Sequence, residues 1–305
     1  MVSPNLECNS SKGARRILLF VTLAALVFLL TSRAASAKDL DLIGPAALKS
    51  NASGWTILDA RPKAAWKEGH IPGARSLSWE DYTRTDEAGV PFRVLPPQEM
   101  AEILGAMSIS EKTPIVVYGD ADSSWGGEGW TCWLLSWLGH SGPIRLLAGG
   151  VQAWRSQGYP LAEGEEQVKG APARYEVNLS PEIFITSAEL VKNRTSLTII
   201  DTRSGWEWFT GHIPLAVHIP WQDFHTGEDR RPIGPADLRS LLGKHGVNPD
   251  KPVVYYCAGG IRSAYTWLVH ELSGLPTARN YEGGMEEWKR RFFTHSEATS
   301  DKSDK

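Results

Sequence analysis

The sequence predicts two tandem α/β domains, each a mostly parallel sheet flanked by helices. Three observations predict it: an internal repeat, an alternation of short apolar runs with segments of helical period, and enough apolar residues for two cores. Of 305 residues, 42% are hydrophobic and 22% charged. In the repeat, Leu58-Asp59-Ala60-Arg61 matches Ile200-Asp201-Thr202-Arg203, and Gly69-His70-Ile71-Pro72 matches Gly211-His212-Ile213-Pro214. Trp79 pairs with Trp221, Pro114-Ile115-Val116-Val117-Tyr118 with Pro252-Val253-Val254-Tyr255-Tyr256, and Gly149-Gly150 plus Trp154 with Gly283-Gly284 plus Trp288. The offset drifts only from 142 to 134 residues, which is a duplicated domain and not a solenoid.

In chain order, residues 1–37 read as an export signal. Lys12, Arg15 and Arg16 precede an uncharged run from Ile17 to Leu30, and Ala35-Ser36-Ala37 supplies a cleavage site. The run of 14 residues is shorter than the roughly 20 that cross a bilayer, so no permanent membrane anchor is expected. Cleavage after Ala37 places the protein in the periplasm or otherwise outside the cytoplasm, by the general or the twin-arginine route. It removes four basic residues and one acidic residue, taking the formal charge from -3 to -6.

Domain 1 is expected over residues 40–161, with strands at Thr56 to Leu58, Ile115 to Tyr118 and Arg145 to Leu147. Helices at Pro97 to Met107 and Trp130 to Leu138 follow from a proline near the first helical position and from Gly139 as a stop. Residues 162–183 lack periodicity and read as a linker. Domain 2 is expected over 184–295, with strands at Leu197 to Ile200, Val253 to Tyr256 and Ala278 to Tyr281, and helices at Pro235 to Leu242 and Ser263 to Leu272. Residues 296–305 are a polar tail with nothing to bury.

Lys+Arg at 32 against Asp+Glu at 35, with no basic block beyond the first 33 residues, excludes a polyanion-binding surface, so nucleic acid is not an expected partner. Three cysteines make no disulfide scaffold and lack metal-ligand spacing, so their chemistry rests on single thiols. Cys8 leaves with the leader, and Cys132 lies on a helix between Trp130 and Trp133 and reads as core.

Cys257 differs. It ends an apolar strand and is followed by Ala258, Gly259, Gly260, Ile261, Arg262 and Ser263, then a helix pointing its amino end back, which is where ligands bind in open α/β sheets. Two glycines let the loop curl its N–H groups inward, and that nest, the helix dipole and Arg262 all favour a thiolate. The same residues also suit a buried small side chain ahead of an ordinary Gly-Gly turn. No histidine partners Cys257 in the sequence, and an ionised thiolate needs none.

Asp-x-Arg, Gly-His-Ile-Pro, a strand ending in Cys-x-x-Gly-x-Arg-Ser, and Gly-Gly-x-x-x-Trp, in that order and largely in two copies, resemble the rhodanese sulfurtransferases in their tandem two-domain form. The resemblance implies that Cys257 takes a sulfane sulfur from a donor such as thiosulfate, holds it as a persulfide, and passes it to cyanide or a thiol without a cofactor. It implies a small-molecule donor and acceptor, or a thiol protein as acceptor. A sulfur-carrier module delivering persulfide to one protein is the alternative from another class. A cysteine phosphatase or arsenate reductase is the lesser one, because those loops set five residues between cysteine and arginine and this loop has four.

The first copy has Gly119-Asp120 where Cys257 falls, and 14 residues between Tyr118 and Trp133 against 10 between Tyr256 and Trp267. It is expected to be inactive, as the resemblance also implies. Asp120-x-Asp122-x-Ser124 begins like a calcium loop but finds Thr131 where a closing glutamate is required, so a solvated loop without a metal is expected. Asp201 and Arg203, repeated as Asp59 and Arg61, read as supporting the site by holding loops, and His70 and His212 read as turn devices. Glu207 stands where the tandem thiosulfate and mercaptopyruvate enzymes of the resemblance carry arginine, which leaves Arg262 as the loop's one cation and the donor open. Trp206, Trp208 and Trp221 are expected at the mouth of the pocket or in plain packing.

Overall fold

The computed structural model describes Met1 and residues 39–121, 123–166 and 170–292. The export-signal expectation and the polar tail fall outside the described residues. Among the described residues no helix is long and apolar enough to cross a membrane.

In the first copy, β1 (Leu40–Ile43), β2 (Thr56–Asp59), β3 (Arg75–Ser76), β6 (Ile115–Tyr118) and β7 (Ile144–Leu147) form a parallel sheet in the order β1-β7-β6-β2-β3. A two-stranded antiparallel ribbon, β4 (Thr83–Arg84) with β5 (Arg93–Val94), stands apart from it. The second copy repeats the plan: β8 (Thr198–Asp201), β9 (Val217–His218), β12 (Val253–Tyr256) and β13 (Arg279–Tyr281) order as β13-β12-β8-β9, with β10 (His225–Thr226) and β11 (Arg231–Pro232) as the ribbon. Every pairing within the two larger sheets is parallel. The counterpart of β1 has shrunk to one parallel bridge between Phe184 and Asn280.

Helices α1 (Pro45–Ser50), α2 (Lys63–Glu68), α3 (Pro97–Ala106), α4 (Gly127–Trp137) and α5 (Gly150–Ser156) surround the first sheet. Helices α6 (Ser187–Asn193), α7 (Gly205–Phe209), α8 (Pro235–Lys244), α9 (Ile261–Leu272) and α10 (Gly284–Phe292) surround the second. Both faces of the central strands are covered, so their residues alternate between two cores. Ile115 and Val117 face one core while Val116 and Tyr118 face another; Val253 and Tyr255 do the same against Val254 and Tyr256.

One of those cores is shared by both copies. Trp130 and Trp133 of α4 and Trp267 and Leu268 of α9 lie in a single buried cluster, so the duplicated halves fold as one body around a common apolar layer. α4 and α9 touch because Gly129 has no side chain: a Cβ there would lie 2.2 Å from the Cα of Tyr265. Cys132 is fully buried in this layer, and burial, then Glu128, pushes its thiol far above the usual range.

The connection between the copies is packed rather than loose. Tyr175 is buried with its hydroxyl 3.2 Å from His140 Nδ1, Ala173 N donates to Gly105 O, and Trp133 Nε1 donates to Ile183 O. No periodicity shows there because the described residues of the segment run largely without regular secondary structure and are anchored by single apolar side chains such as Tyr175 and Ile183.

Candidate active site

Cys257 follows the last residue of β12 and is 2% exposed. The carbonyls of Cys257 and Ala258 accept from the amides of Met285 (2.8 Å) and Glu286 (3.1 Å) at the start of α10. A trans peptide unit points its N–H opposite its C=O, so the amides of Ala258 and Gly259 turn the other way. Gly260 O accepts from Asn280 Nδ2 (3.0 Å) and Ala264 N (3.1 Å), which orients the amide of Ile261 likewise. Gly260, with φ of 84°, caps α9 without a side-chain acceptor. Among the described residues, the amides of Ala258, Gly259, Gly260, Ile261, Arg262 and Ser263 have no protein acceptor. The loop is thus a ring of donors at a helix amino end, a cradle for negative charge.

Ser263 Oγ lies 3.6 Å from Cys257 Sγ and 2.7 Å from Asn280 Oδ1. Asn280 donates its amide nitrogen to Gly260, so its oxygen accepts, and the single serine proton is shared between sulfur and amide.

Arg262 is already paired. Its Nη1 donates to Glu207 Oε2 at 2.8 Å and its Nη2 to Oε1 at 2.7 Å, the bidentate geometry in which guanidinium and carboxylate bind best. Glu207 is fixed in turn by the capping box of α7: Ser204 donates to it from N (3.0 Å) and Oγ (2.8 Å), and Glu207 N donates back to Ser204 Oγ. Burial alone would raise the Glu207 carboxyl, but Arg262 and Ser204 outweigh it and bring it down to about 2. For Arg262 burial pulls the other way, and Glu207 with the Cys257 sulfur holds its pKa raised. The pair contributes no net charge, so the free cation expected for the loop is neutralised by a residue 55 positions away in sequence.

The sulfur lies in a cleft of about 450 Å3 to which both copies contribute. The second supplies Glu207 and the loop; the first supplies Trp79, Glu80, Phe92 and Trp125. Phe92 rests on the loop because Gly259 has no Cβ, whose place would be 2.5 Å from the ring. A cavity of about 510 Å3 at the amino ends of β2 and β6, with Ser53, Thr113 and Glu166 in its lining, has no cysteine or histidine there.

The first-copy contributors were invisible to motif reading. One signal existed: the first copy's loop is four residues longer than its counterpart, and it carries Trp125 to the rim of the other copy's cleft. Of the tryptophans expected at the mouth or in plain packing, none lines the cleft, and Trp221 takes the packing role. Trp206 is 73% exposed on the outer side of α7, Trp208 stacks on His212 with ring centroids 3.6 Å apart, and Trp221 is buried against His225 and Tyr265. A five-residue helix that turns Glu207 inward sends Trp206 and Trp208 away from the sulfur.

Asp201 and Arg203 lie beneath the site, not in it. Arg203 Nη2 donates to Asp201 Oδ2 (2.6 Å) and to Gly211 O (2.7 Å), and Tyr256 Oη donates to Asp201 Oδ2 (2.6 Å). The first copy repeats this with Arg61, Asp59, Gly69 and Tyr118 at 2.6, 2.7 and 2.5 Å. The matching loop of the first copy, by contrast, is filled. Glu128 occupies the position of Arg262, and a Cβ on Gly119 would be 2.2 Å from its Oε2. Ser124, read from sequence as solvated, is buried, with its Oγ 2.6 Å from both Asp120 O and Glu128 Oε2. Burial raises the Glu128 carboxyl against the opposing pull of its hydrogen bonds from Ser124 and the backbone, and its side chain fills the loop.

The copies are also clamped beside the site. Val94 N donates to Glu282 Oε1 (2.8 Å), and Arg93 Nη1 lies 2.6 Å from Glu282 Oε2 and 3.2 Å from Glu287 Oε2. Burial pushes Glu282 up to about 7 against the opposing pull of Arg93 and Val94. A carboxyl raised on folding binds a proton that the unfolded chain releases, so its contribution to stability is present below about pH 4.5 and is lost as pH rises through about 7. Urea denaturation at pH 5 and 7.5 is expected to give a smaller loss of stability for Glu282→Gln than for the parent. An equal loss would take Glu282 out of the pH dependence.

A family model, the Rhodanese-like domain, matches residues 45–157 and 186–291. The chain is 30% identical over 243 residues to the sulfur carrier protein TtuD of Thermus thermophilus, covering 72% of this chain and 82% of that one. It is 30% identical over 262 residues to the thiosulfate sulfurtransferase of Azotobacter vinelandii, covering 81% and 93%. Among solved structures, the 3-mercaptopyruvate sulfotransferase SseA of Escherichia coli superposes with a TM-score of 0.71 at 21% identity, over 80% of this chain and 98% of that one, a likeness of fold.

Proposed function

Because the chain belongs to the rhodanese-like family, we propose that it is a sulfurtransferase moving a sulfane sulfur through a persulfide on Cys257. The observation that carries this is the placement of Sγ at the floor of a cleft, inside a ring of unpaired amides. With thiosulfate as donor, the Cys257 thiolate attacks the outer sulfur, the S–S bond breaks, and sulfite leaves with the electron pair. The persulfide anion that remains is held by the amides. Cyanide or a thiolate then attacks the terminal sulfur, and Cys257 leaves as thiolate. No proton transfer by a histidine is required, and none lines the cleft among the described residues. Thiocyanate formation from thiosulfate and cyanide tests the proposal; no turnover with any sulfane donor would refute it.

Arg262 is committed to Glu207, so an anionic donor meets amides without a free positive charge. Glu207→Gln is therefore expected to lower KM for thiosulfate about 3- to 10-fold by unmasking Arg262, with little change in kcat. An unchanged or higher KM would show that Arg262 does not face the donor.

A sulfur-carrier role is the second reading, and one observation favours it: α7, which holds Glu207 at the cleft, turns Trp206 and Phe209 outward at 73% and 80% exposure, stacked 6.0 Å apart. A stable persulfide with negligible small-molecule turnover would select the carrier. The basic-then-apolar amino terminus supports export, and cell fractionation checks it.

A further inference from the structure

Resting on the sulfur-transfer reading, we propose that the acceptor taken into this cleft is a small organic cation, its ammonium group lodged among Trp79, Phe92 and Trp125 beside Glu80.

Three independent features converge. The first is charge. Arg262 and Glu207 cancel, and Glu80 is the remaining ionisable group on the lining apart from Cys257 itself. A loaded persulfide anion adds to the negative side, so the working cleft repels carboxylate acceptors and attracts cations. The second is the wall: three aromatic rings, with Trp79 and Phe92 edge to face at 5.8 Å between centroids. Such π faces bind ammonium groups, more strongly where water is excluded. The third is strain. Among the described residues five non-glycine positions have positive φ, and two of them, Phe92 at 64° and Trp125 at 54°, line this one cleft. Bulky side chains in that conformation are disfavoured and persist where the placement serves a site. Trp125 also remains 53% exposed, an aromatic side chain that the fold does not use for its core. The volume of about 450 Å3 suits a small molecule.

The chemistry is that of the second half-reaction. The thiolate of the acceptor attacks the terminal sulfur of Cys257–S–SH, the S–S bond to Sγ breaks, and Cys257 leaves as thiolate while the acceptor becomes the persulfide. No external oxidant or reductant enters.

The test uses the full chain loaded as the Cys257 persulfide and discharged by three thiols of similar length: cysteamine (cationic), 2-mercaptoethanol (neutral) and 3-mercaptopropionate (anionic). Rates are corrected for each thiol's ionised fraction and for its reaction with a low-mass persulfide. Cysteamine is expected to exceed 3-mercaptopropionate by about tenfold, with mercaptoethanol between them. Glu80→Gln and Trp125→Ala should each narrow the ratio several-fold. A ratio near one, or a faster carboxylate, overturns this proposal alone. Failure to load any persulfide on Cys257 overturns the sulfur-transfer reading, and this one with it. In Cys257→Ser, benzyltrimethylammonium should quench tryptophan fluorescence saturably and benzoate should not; equal quenching by both would also overturn it.

Discussion

Cys257→Ser is expected to lower thiocyanate formation by at least about 10³-fold while leaving the melting transition in place. The hydroxyl is smaller than the thiol and fits the same 2%-exposed position, so the ring of amides and the Arg262–Glu207 pair stay assembled. What is lost is the nucleophile: a serine hydroxyl does not ionise at neutral pH and forms no S–S bond to the sulfane sulfur. Cys132 cannot substitute, being fully buried with its thiol held protonated by burial and by Glu128. Turnover above a few per cent of the parent would remove Cys257 from the mechanism.

Arg203→Met is expected to cost about 3–5 kcal/mol, because it strands Asp201 with no exposure and no counter-ion. For a chain of this size that corresponds to a fall in melting temperature on the order of 10 °C. Arg61→Met should cost a similar amount, since Asp59 is equally buried and the two sites share hydrogen-bond partners and distances. The comparison separates support from catalysis. Equal losses of stability, with turnover at 20 °C impaired chiefly in Arg203→Met through the Gly211 loop, fit a positioning role. A variant at Arg203 that melts like the parent yet has lost turnover would assign Arg203 to the chemistry itself.

Much of the fold is legible because duplication writes the same physics twice. Strands such as Val253–Tyr256 announce themselves as apolar runs because both faces are covered, and Gly260 before Ile261 marks the turn into a helix. The two-residue strands Arg75–Ser76 and Val217–His218 are too short to show a period, and Leu40–Ile43 alternates too weakly, with only its ends partly buried. At the site, the residues contiguous with Cys257 could be read from one stretch of chain. The Arg262–Glu207 pair could not, since 55 residues separate its members, although the acidic residue at 207 flagged that the donor site was unusual. Least legible were Trp79, Glu80, Phe92 and Trp125. They belong to the copy that has Gly119 where the other has Cys257, and only the shared core of α4 and α9 brings them over the other's loop. The first copy therefore lines the cleft around Cys257 as well as supporting the fold.

The most direct measurement is peptide mass spectrometry of the full chain after exposure to thiosulfate and removal of excess donor. The peptide containing Cys257 is predicted to gain about 32 mass units, one sulfur atom, and to lose them on addition of cyanide, while the peptide containing Cys132 stays unchanged. A chain that turns over thiosulfate with Cys257 unmodified at every stage, or with the added sulfur on Cys132, would contradict the assignment.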